Sequence, residues 1–286
     1  MNSFDIHLKN ILNNDNNRYF NDLELKNNEI EKLKSYANLN FASKHSYILN
    51  LIKFYNENKN IKILDFGCGG GVPLVLIKMA GYENIFGVDL KELNENKIAK
   101  QNNFVNLFNF SNKTFTFIEN GKTIFDNESF DLIISLQVLE HVKNFDEYYN
   151  ELHRLIKADG KLILIFPHRL KPYDSHSKTY FIHYFPKKIR GFLYNLFTKD
   201  KKEYYENLLN LKSPFFHVKK LNHYFKNVKN IRSINMIYNN HYSYDGNIYL
   251  KKIINILIKL FPKHINKFLS IFLFDSILIC KNKNDL

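Results

Sequence analysis

The sequence predicts an α/β fold, a doubly wound and mostly parallel sheet with helices on both faces. Three observations lead there. A largely apolar run, residues 61–66, enters a loop with glycine at 67, 69, 70 and 71, and a helical pattern follows over 72–80. Strand, glycine-rich turn and helix together let backbone N–H groups approach a ligand closely. A second apolar run, 85–88, ends at Asp89, where a carboxylate is placed to accept hydrogen bonds from a ribose. Strand-like and helix-like patterns then alternate as far as Phe166. Strands covered on both faces read as continuous apolar runs, as these do.

Taken in order, residues 1–28 are polar and read as irregular. Over 29–56, Leu33, Tyr36, Ala37, Phe41, Tyr47, Leu51 and Phe54 recur at helical spacing and predict one or two helices. Strands are predicted at 62–66, 84–88, 114–118, 131–136 and 161–166, with helices at 72–80, 92–103 and 145–156 between them. Asp159-Gly160 supplies a turn before the fifth strand. Past Pro167 the composition shifts to His, Tyr, Phe and Lys, and residues 168–226 read as a helical insertion or lid without clear strands. A strand resumes at 228–237, amphipathic helices follow at 249–260 and 263–274, and 275–281 reads as a last strand. The expected organisation is an N-terminal segment 1–56, a core 57–167, a lid 168–226 and a C-terminal part 227–286 that completes the sheet.

Composition narrows the class. Two cysteines, Cys68 and Cys280, provide neither a disulfide framework nor a cysteine-based metal site and suit a reducing, cytoplasmic compartment. No apolar signal core opens the chain, and no run reaches the roughly 18 residues of a spanning helix. The net charge of +13 is uneven: residues 1–160 carry −3 and residues 161–286 carry +16. The basic half suits an anionic partner, whether a phosphorylated substrate, a membrane surface or nucleic acid, or else reflects solubility and a lysine bias.

The glycine loop is more specific than a dinucleotide fingerprint. Asp65 stands two residues before the first glycine, where a carboxylate repels pyrophosphate and favours an ammonium or sulfonium group. The run Asp65-Phe66-Gly67-Cys68-Gly69-Gly70-Gly71 resembles motif I of the class I S-adenosylmethionine-dependent methyltransferases. The resemblance covers residues 60–167, with a weaker echo at 228–282, and implies a Rossmann-like seven-stranded sheet with an antiparallel last strand. It implies that Gly67, Cys68, Gly69 and Gly71 pass under the methionine part of the cofactor while Asp65 accepts from its amino group. Asp89 then takes the ribose hydroxyls beside Leu90, and Glu119 or Asn120 meets the adenine edge. The segment from Phe130 to Val142, ending Leu139-Glu140-His141-Val142, resembles the fourth strand and its sequel in small-molecule methyltransferases of this superfamily, with Gln137 placed to touch cofactor or substrate.

The acceptor side is less explicit. His168, His176 and His183 lie in the segment after the fifth strand, where the resemblance implies substrate residues, and a histidine has the right range to deprotonate an attacking hydroxyl. His176 is the first candidate for such a base, and the spacing of the three matches no metal-ligand pattern. Basic and apolar residues mix at helical spacing over 187–197 and 251–274, which fits either a lid or a peripheral membrane contact with lysines snorkelling. The expected activity is methyl transfer from S-adenosylmethionine, releasing S-adenosylhomocysteine, to a small-molecule, glycan or lipid-linked acceptor, at oxygen. An RNA methyltransferase and a cofactor-binding protein without turnover are the alternatives.

Overall fold

The computed structural model of this chain describes residues 48, 49, 51, 52, 56, 58–91, 95–174, 179–197, 209–231, 256, 259–273 and 275–282. The described residues divide into two compact units, one running up to Ile134 and the other from Ser135 onward.

In the first unit, β1 (Ile63–Phe66) is entirely buried. It leads through the glycine loop into α1 (Val72–Met79), which starts at Gly71 with φ 83° and carries Pro73 in its first turn. Proline suits that place because its missing N–H has no partner there in any helix. A side chain at Gly71 would sit 2.7 Å from the Phe115 ring, so the turn demands glycine for both conformation and space. β2 (Ile85–Leu90), α2 (Glu95–Leu107), β3 (Phe115–Ile118) and β4 (Phe130–Leu136) follow. β1 pairs in parallel with β2 and β4, and β2 with β3. Ile63, Leu64, Leu74, Ile77, Val88 and Ile133 form the interior of this unit, each fully buried aliphatic side chain contributing ~1.5–3 kcal/mol.

The second unit begins in the last residues of β4. A 3₁₀ turn (Leu139–His141) precedes α3 (Phe145–Leu155). The Asn144 side chain accepts the Glu147 N–H at the start of α3, acidic Asp146 and Glu147 fill the first turn, and His153 and Arg154 fill the last. That arrangement satisfies an orphan donor and complements the helix dipole at both ends. β5 (Ile156–Phe166) starts five residues before the predicted position. The chain still doubles back tightly at the expected glycine, since a side chain at Gly160 would meet Ile156 at 2.7 Å and the Lys157 carbonyl at 3.0 Å.

Residues 168–226 are not free of strands. A small antiparallel hairpin joins β6 (Tyr173–Asp174) to β7 (Thr179–Tyr180). Two residues per strand leave no periodicity for the sequence to reveal. The expected helical character holds in a 3₁₀ turn (Ile182–Tyr184), α4 (Lys187–Phe197) and α5 (Pro214–Leu221). Ser213 caps α5 by accepting the Phe216 N–H. The last elements are β8 (Asn227–Asn230), α6 (Lys263–Leu273) and β9 (Ser276–Lys281). The helical readings over 29–56 and 249–260 lie largely, and the strand reading over 232–237 wholly, outside the described residues.

The seven long strands form one sheet in the order β3-β2-β1-β4-β5-β9-β8. β9 runs antiparallel to both β5 and β8. This is the doubly wound α/β architecture with an antiparallel last strand that the sequence predicts. The carboxyl ends of its parallel strands are where open α/β sheets bind ligands.

Candidate active site

In the first unit the glycine loop is tied to β2 by backbone bonds. The N–H groups of Gly67 and Cys68 both donate to the Val88 carbonyl, at 2.8 and 3.0 Å. One residue on, the Gly69 N–H donates to Oδ2 of Asp89 at 2.6 Å, and the other carboxylate oxygen accepts the Leu90 N–H at 2.8 Å. Asp89 thus clamps the loop to the tip of β2 with two of the roughly four acceptor positions of a carboxylate, leaving capacity for further donors. Gly69 has φ 52°, and a side chain there would meet nothing within 4 Å, so the space over its Cα is open. Gly87 is the opposite case, because a side chain would strike Leu74 at 2.6 Å and the Cys68 sulfur at 2.8 Å.

Asp65 is the penultimate residue of β1, just before the loop. Its carboxylate is completely buried and neither oxygen has a hydrogen-bond partner. Burial, with the nearby Asp89 charge as a second cause, pushes its pKa up to about 8. A buried carboxylate without a donor is costly, and a cation brought beside it restores the charged form. Cys68 is also buried, and its thiol is pushed well above the usual range by burial first and then by Asp65 and Asp89, so it is no nucleophile.

A residue without any motif supports the loop. Gln101, buried in α2, donates its amide N–H to the Gly69 carbonyl at 2.6 Å and lies 3.8 Å from the Cys68 sulfur. Asp89 and Gln101 therefore hold Gly69 from its two backbone groups. The sequence offers only a polar residue within a predicted helix, which carries no such signal.

Glu119 and Asn120 follow β3, which pairs with the strand ending at Leu90. Glu119 forms a 2.8 Å ion pair with Lys91, and that hydrogen bond holds its carboxyl below the usual range. Asn120 and Gly121, with φ 52° and 73°, are the centre of a two-residue turn closed by paired bonds between Glu119 and Lys122. Asn-Gly is the pair such a turn favours, because both positions need positive φ. Leu90 points its side chain into solvent, unusual for a large aliphatic residue at a strand end.

In the second unit Gln137 follows β4 with φ 58°, a strained value for a residue with a side chain. Its N–H donates to the Ile165 carbonyl at 2.7 Å and its side-chain amide to Asp275 at 3.4 Å. Asp275 also holds a largely buried ion pair with Lys171 at 2.8 Å. Strain of this kind clusters where a site must be held in one geometry.

The candidate histidines fare differently. His176 lies outside the described residues. His168 is buried. His183 is buried too, its Nε2 lying 3.6 Å from the buried carboxylate of Asp174, and its carbonyl accepts the Arg169 Nε–H at 3.1 Å. A histidine the sequence did not single out, His217, has Nδ1 2.5 Å from the Tyr149 hydroxyl, with the Phe166 ring at 4.7 Å. Burial, then the charges of His168 and Lys212, depress its pKa to about 3, so His217 is neutral. Burial likewise pushes the Tyr149 hydroxyl above its ordinary value. Among the described residues no cluster of His, Cys, Asp and Glu forms a metal-binding group.

Comparison with known proteins agrees with this geometry. Residues 39–227 match the model of a family defined as a methyltransferase domain. The ubiquinone biosynthesis O-methyltransferase of Rickettsia bellii (strain OSU 85-389) is 33% identical over 130 residues, 44% of this chain and 50% of that protein. The mitochondrial enzyme of that name from Dictyostelium discoideum is 28% identical over 134 residues, 41% of this chain and 42% of that protein. The chain spans about half the length of the curated relatives it matches. Among solved structures, a protein of Pyrococcus horikoshii OT3 aligns with a TM-score of 0.48 and 17% identity over 85% of this chain and 93% of that one. Because the family match runs from before β1 to the first residue of β8, through the glycine loop, Asp89 and Gln137, the chain belongs to the methyltransferase-domain family.

Proposed function

We propose that this chain binds S-adenosylmethionine at the glycine loop and transfers its methyl group to the oxygen of a small-molecule acceptor. The observation that carries the reading is the buried, unpartnered carboxylate of Asp65, just ahead of a glycine loop in which the space over Gly69 is open. Those residues fit a ligand with an ammonium group, which a pyrophosphate site would not accommodate.

When bound, the cofactor supplies an electrophilic methyl on a sulfonium centre. The chain supplies binding and alignment. Asp65 holds the amino group as an ion pair in its charged form. Asp89, already fixed by Gly69 and Leu90, accepts from the ribose diol through its remaining lone pairs. Gly67, Cys68, Gly69 and Gly71 provide the close backbone surface, and Leu90, Glu119 and Asn120 the adenine side. Gln137, held at positive φ by Ile165 and Asp275, orients cofactor or acceptor from the end of β4. Alignment of this kind supplies much of the rate in a displacement reaction. A base for the acceptor hydroxyl comes from the segment after β5, with His176 first in line and His168 and His183 behind it.

The O-methyltransferase names of the relatives favour a small-molecule oxygen acceptor over RNA. A glycan or lipid-linked acceptor, and an anionic one, suit the basic half of the sequence. Calorimetric titration with S-adenosylhomocysteine tests the cofactor, and methyl incorporation into hydroxylated small molecules tests the activity. Binding that weakens about 30-fold or more in Asp89→Ala supports the reading, since that loss corresponds to ~2 kcal/mol of lost contacts. A folded chain that does not bind S-adenosylhomocysteine overturns it, and binding without incorporation into any acceptor would favour a cofactor-binding protein without turnover.

A further inference from the structure

The segment from β7 to the end of α4 turns apolar side chains toward solvent. Tyr180, Phe181, Tyr184 and Phe185 are exposed around the 3₁₀ turn, and Ile189, Phe192 and Leu196 are exposed on α4. The three helix positions are spaced i, i+3, i+7 and form one stripe. On the other side of α4, Tyr194 is buried with Ile182, and Leu193 and Leu209 pack on them. The helix is therefore apolar on its packed face and again on its outer face, where Phe192 is 66% and Leu196 64% exposed.

The exposed aromatics are held in place. Phe181 has φ 62°, a strained conformation for a bulky residue, and is 56% exposed. Its N–H donates to the Pro172 carbonyl at 2.6 Å and its own carbonyl accepts the Tyr184 N–H at 3.0 Å. The Phe181 ring lies 6.3 Å from Tyr180 and 6.0 Å from Tyr184, and the Tyr184 hydroxyl is anchored on the Leu170 carbonyl. Strain that keeps a large aromatic ring in water persists where the surroundings fix it, and it marks a surface with a use.

Charge chooses the occupant. Residues 161–286 carry a net +16, and the sequence of α4 opens Lys187-Lys188-Ile189-Arg190. The Nε–H of Arg190 is buried and has no hydrogen-bond partner. An exposed stripe of aromatic and aliphatic residues on a segment whose sequence carries Lys187, Lys188 and Arg190 suits the plane of an anionic bilayer surface, where rings and alkyl groups enter the headgroup boundary and cations meet lipid phosphates. Among the described residues no helix is long and apolar enough to cross a membrane.

We propose that residues 180–196 dock this unit on an anionic membrane surface, with Phe181, Phe192 and Leu196 entering the headgroup boundary and Arg190 engaging lipid phosphate. The proposal does not depend on methyl transfer, although it would place a lipid-linked acceptor within reach of the enzyme.

Vesicle sedimentation of the full chain tests it, using phosphatidylcholine vesicles with and without phosphatidylglycerol. The expected result is co-sedimentation with the phosphatidylglycerol vesicles, about tenfold weaker with pure phosphatidylcholine, and about tenfold weaker for Phe192→Ser with Leu196→Ser on either lipid. Arg190→Gln should reduce only the part that depends on phosphatidylglycerol. A wild-type chain that stays in the supernatant overturns the proposal, as does a Phe192→Ser, Leu196→Ser chain that sediments like wild type. A lipid-free wild-type oligomer that those substitutions convert to monomer also overturns it, because the stripe is then a protein interface. The same samples are titrated with S-adenosylhomocysteine. Equal affinity in wild type and variants shows that the substitutions left the fold intact. Vesicle binding without S-adenosylhomocysteine binding would overturn the methyl-transfer reading and leave the docking proposal supported.

Discussion

The carboxylate of Asp89 accepts the backbone N–H of Gly69 across 2.6 Å, joining the end of one strand to the middle of the loop that follows another. The same side chain is proposed to bind the ribose. Structure and binding therefore converge on one group. Asp89→Ala should lower S-adenosylhomocysteine affinity about 30- to 100-fold by calorimetry and also destabilise the chain by ~1–2 kcal/mol in urea unfolding. Asp89→Asn keeps an acceptor oxygen and should lose less of both. Equal affinity in Asp89→Ala and wild type would remove Asp89 from the site.

Asp65 gives a pH signature. Its pKa is about 8 in the folded chain against an ordinary 3.8, so between those values the folded chain holds a proton that the unfolded chain has released. Stability without ligand is then greatest below about pH 4 for this group and falls as pH rises toward 8, by ~1.4 kcal/mol per pH unit at most. Asp65→Asn should flatten that slope in denaturant unfolding between pH 5 and pH 7. A cation beside Asp65 favours its charged form, so binding S-adenosylhomocysteine at pH 6 should release a proton in wild type. Calorimetry in buffers of different ionisation enthalpy reads that release, and Asp65→Asn should abolish it.

Gly71 and Gly81 separate space from backbone strain. Both have positive φ, but a side chain at Gly71 meets the Phe115 ring at 2.7 Å whereas one at Gly81 meets nothing within 4 Å. Gly81→Ala should cost ~1–2 kcal/mol from conformation alone, and Gly71→Ala ~1–3 kcal/mol more from the clash. Urea unfolding of the two variants measures the difference, and equal losses would mean that Phe115 moves aside freely.

Gln101→Ala removes the donor to the Gly69 carbonyl from a buried place. A loss of ~1–2 kcal/mol in stability is expected, with weakened S-adenosylhomocysteine binding as the loop loses its second tie. Binding should suffer less than in Asp89→Ala, because Gln101 acts on the loop alone.

Tyr149→Phe serves as a contrast within the second unit. It leaves His217 without its 2.5 Å partner, next to Phe145, Phe166 and Phe216. Stability should fall by ~1–3 kcal/mol while S-adenosylhomocysteine affinity stays unchanged. A large loss of affinity would instead tie this buried pair to the cofactor.

The sheet and the glycine loop were legible in the residues because their information is local. A buried strand such as residues 162–166 is written as an unbroken apolar run, and Asp65, the glycines and Asp89 lie at fixed steps along one strand-turn-helix-strand unit. The antiparallel last strand followed from family resemblance and is present as β9 between β5 and β8. Contacts between distant segments come from packing. Gln101 meets Gly69 from a helix 32 residues on, Lys171 pairs with Asp275 over 104 residues, and Tyr149 finds His217 over 68. The interior places of His168 and His183, the outward face of α4 and the positive φ of Gln137 likewise come from packing. Periodicity states that a helix has a stripe and a strand has a run. Which neighbour covers a stripe, and which buried polar group is left without one, is settled when distant segments compete for the same interior.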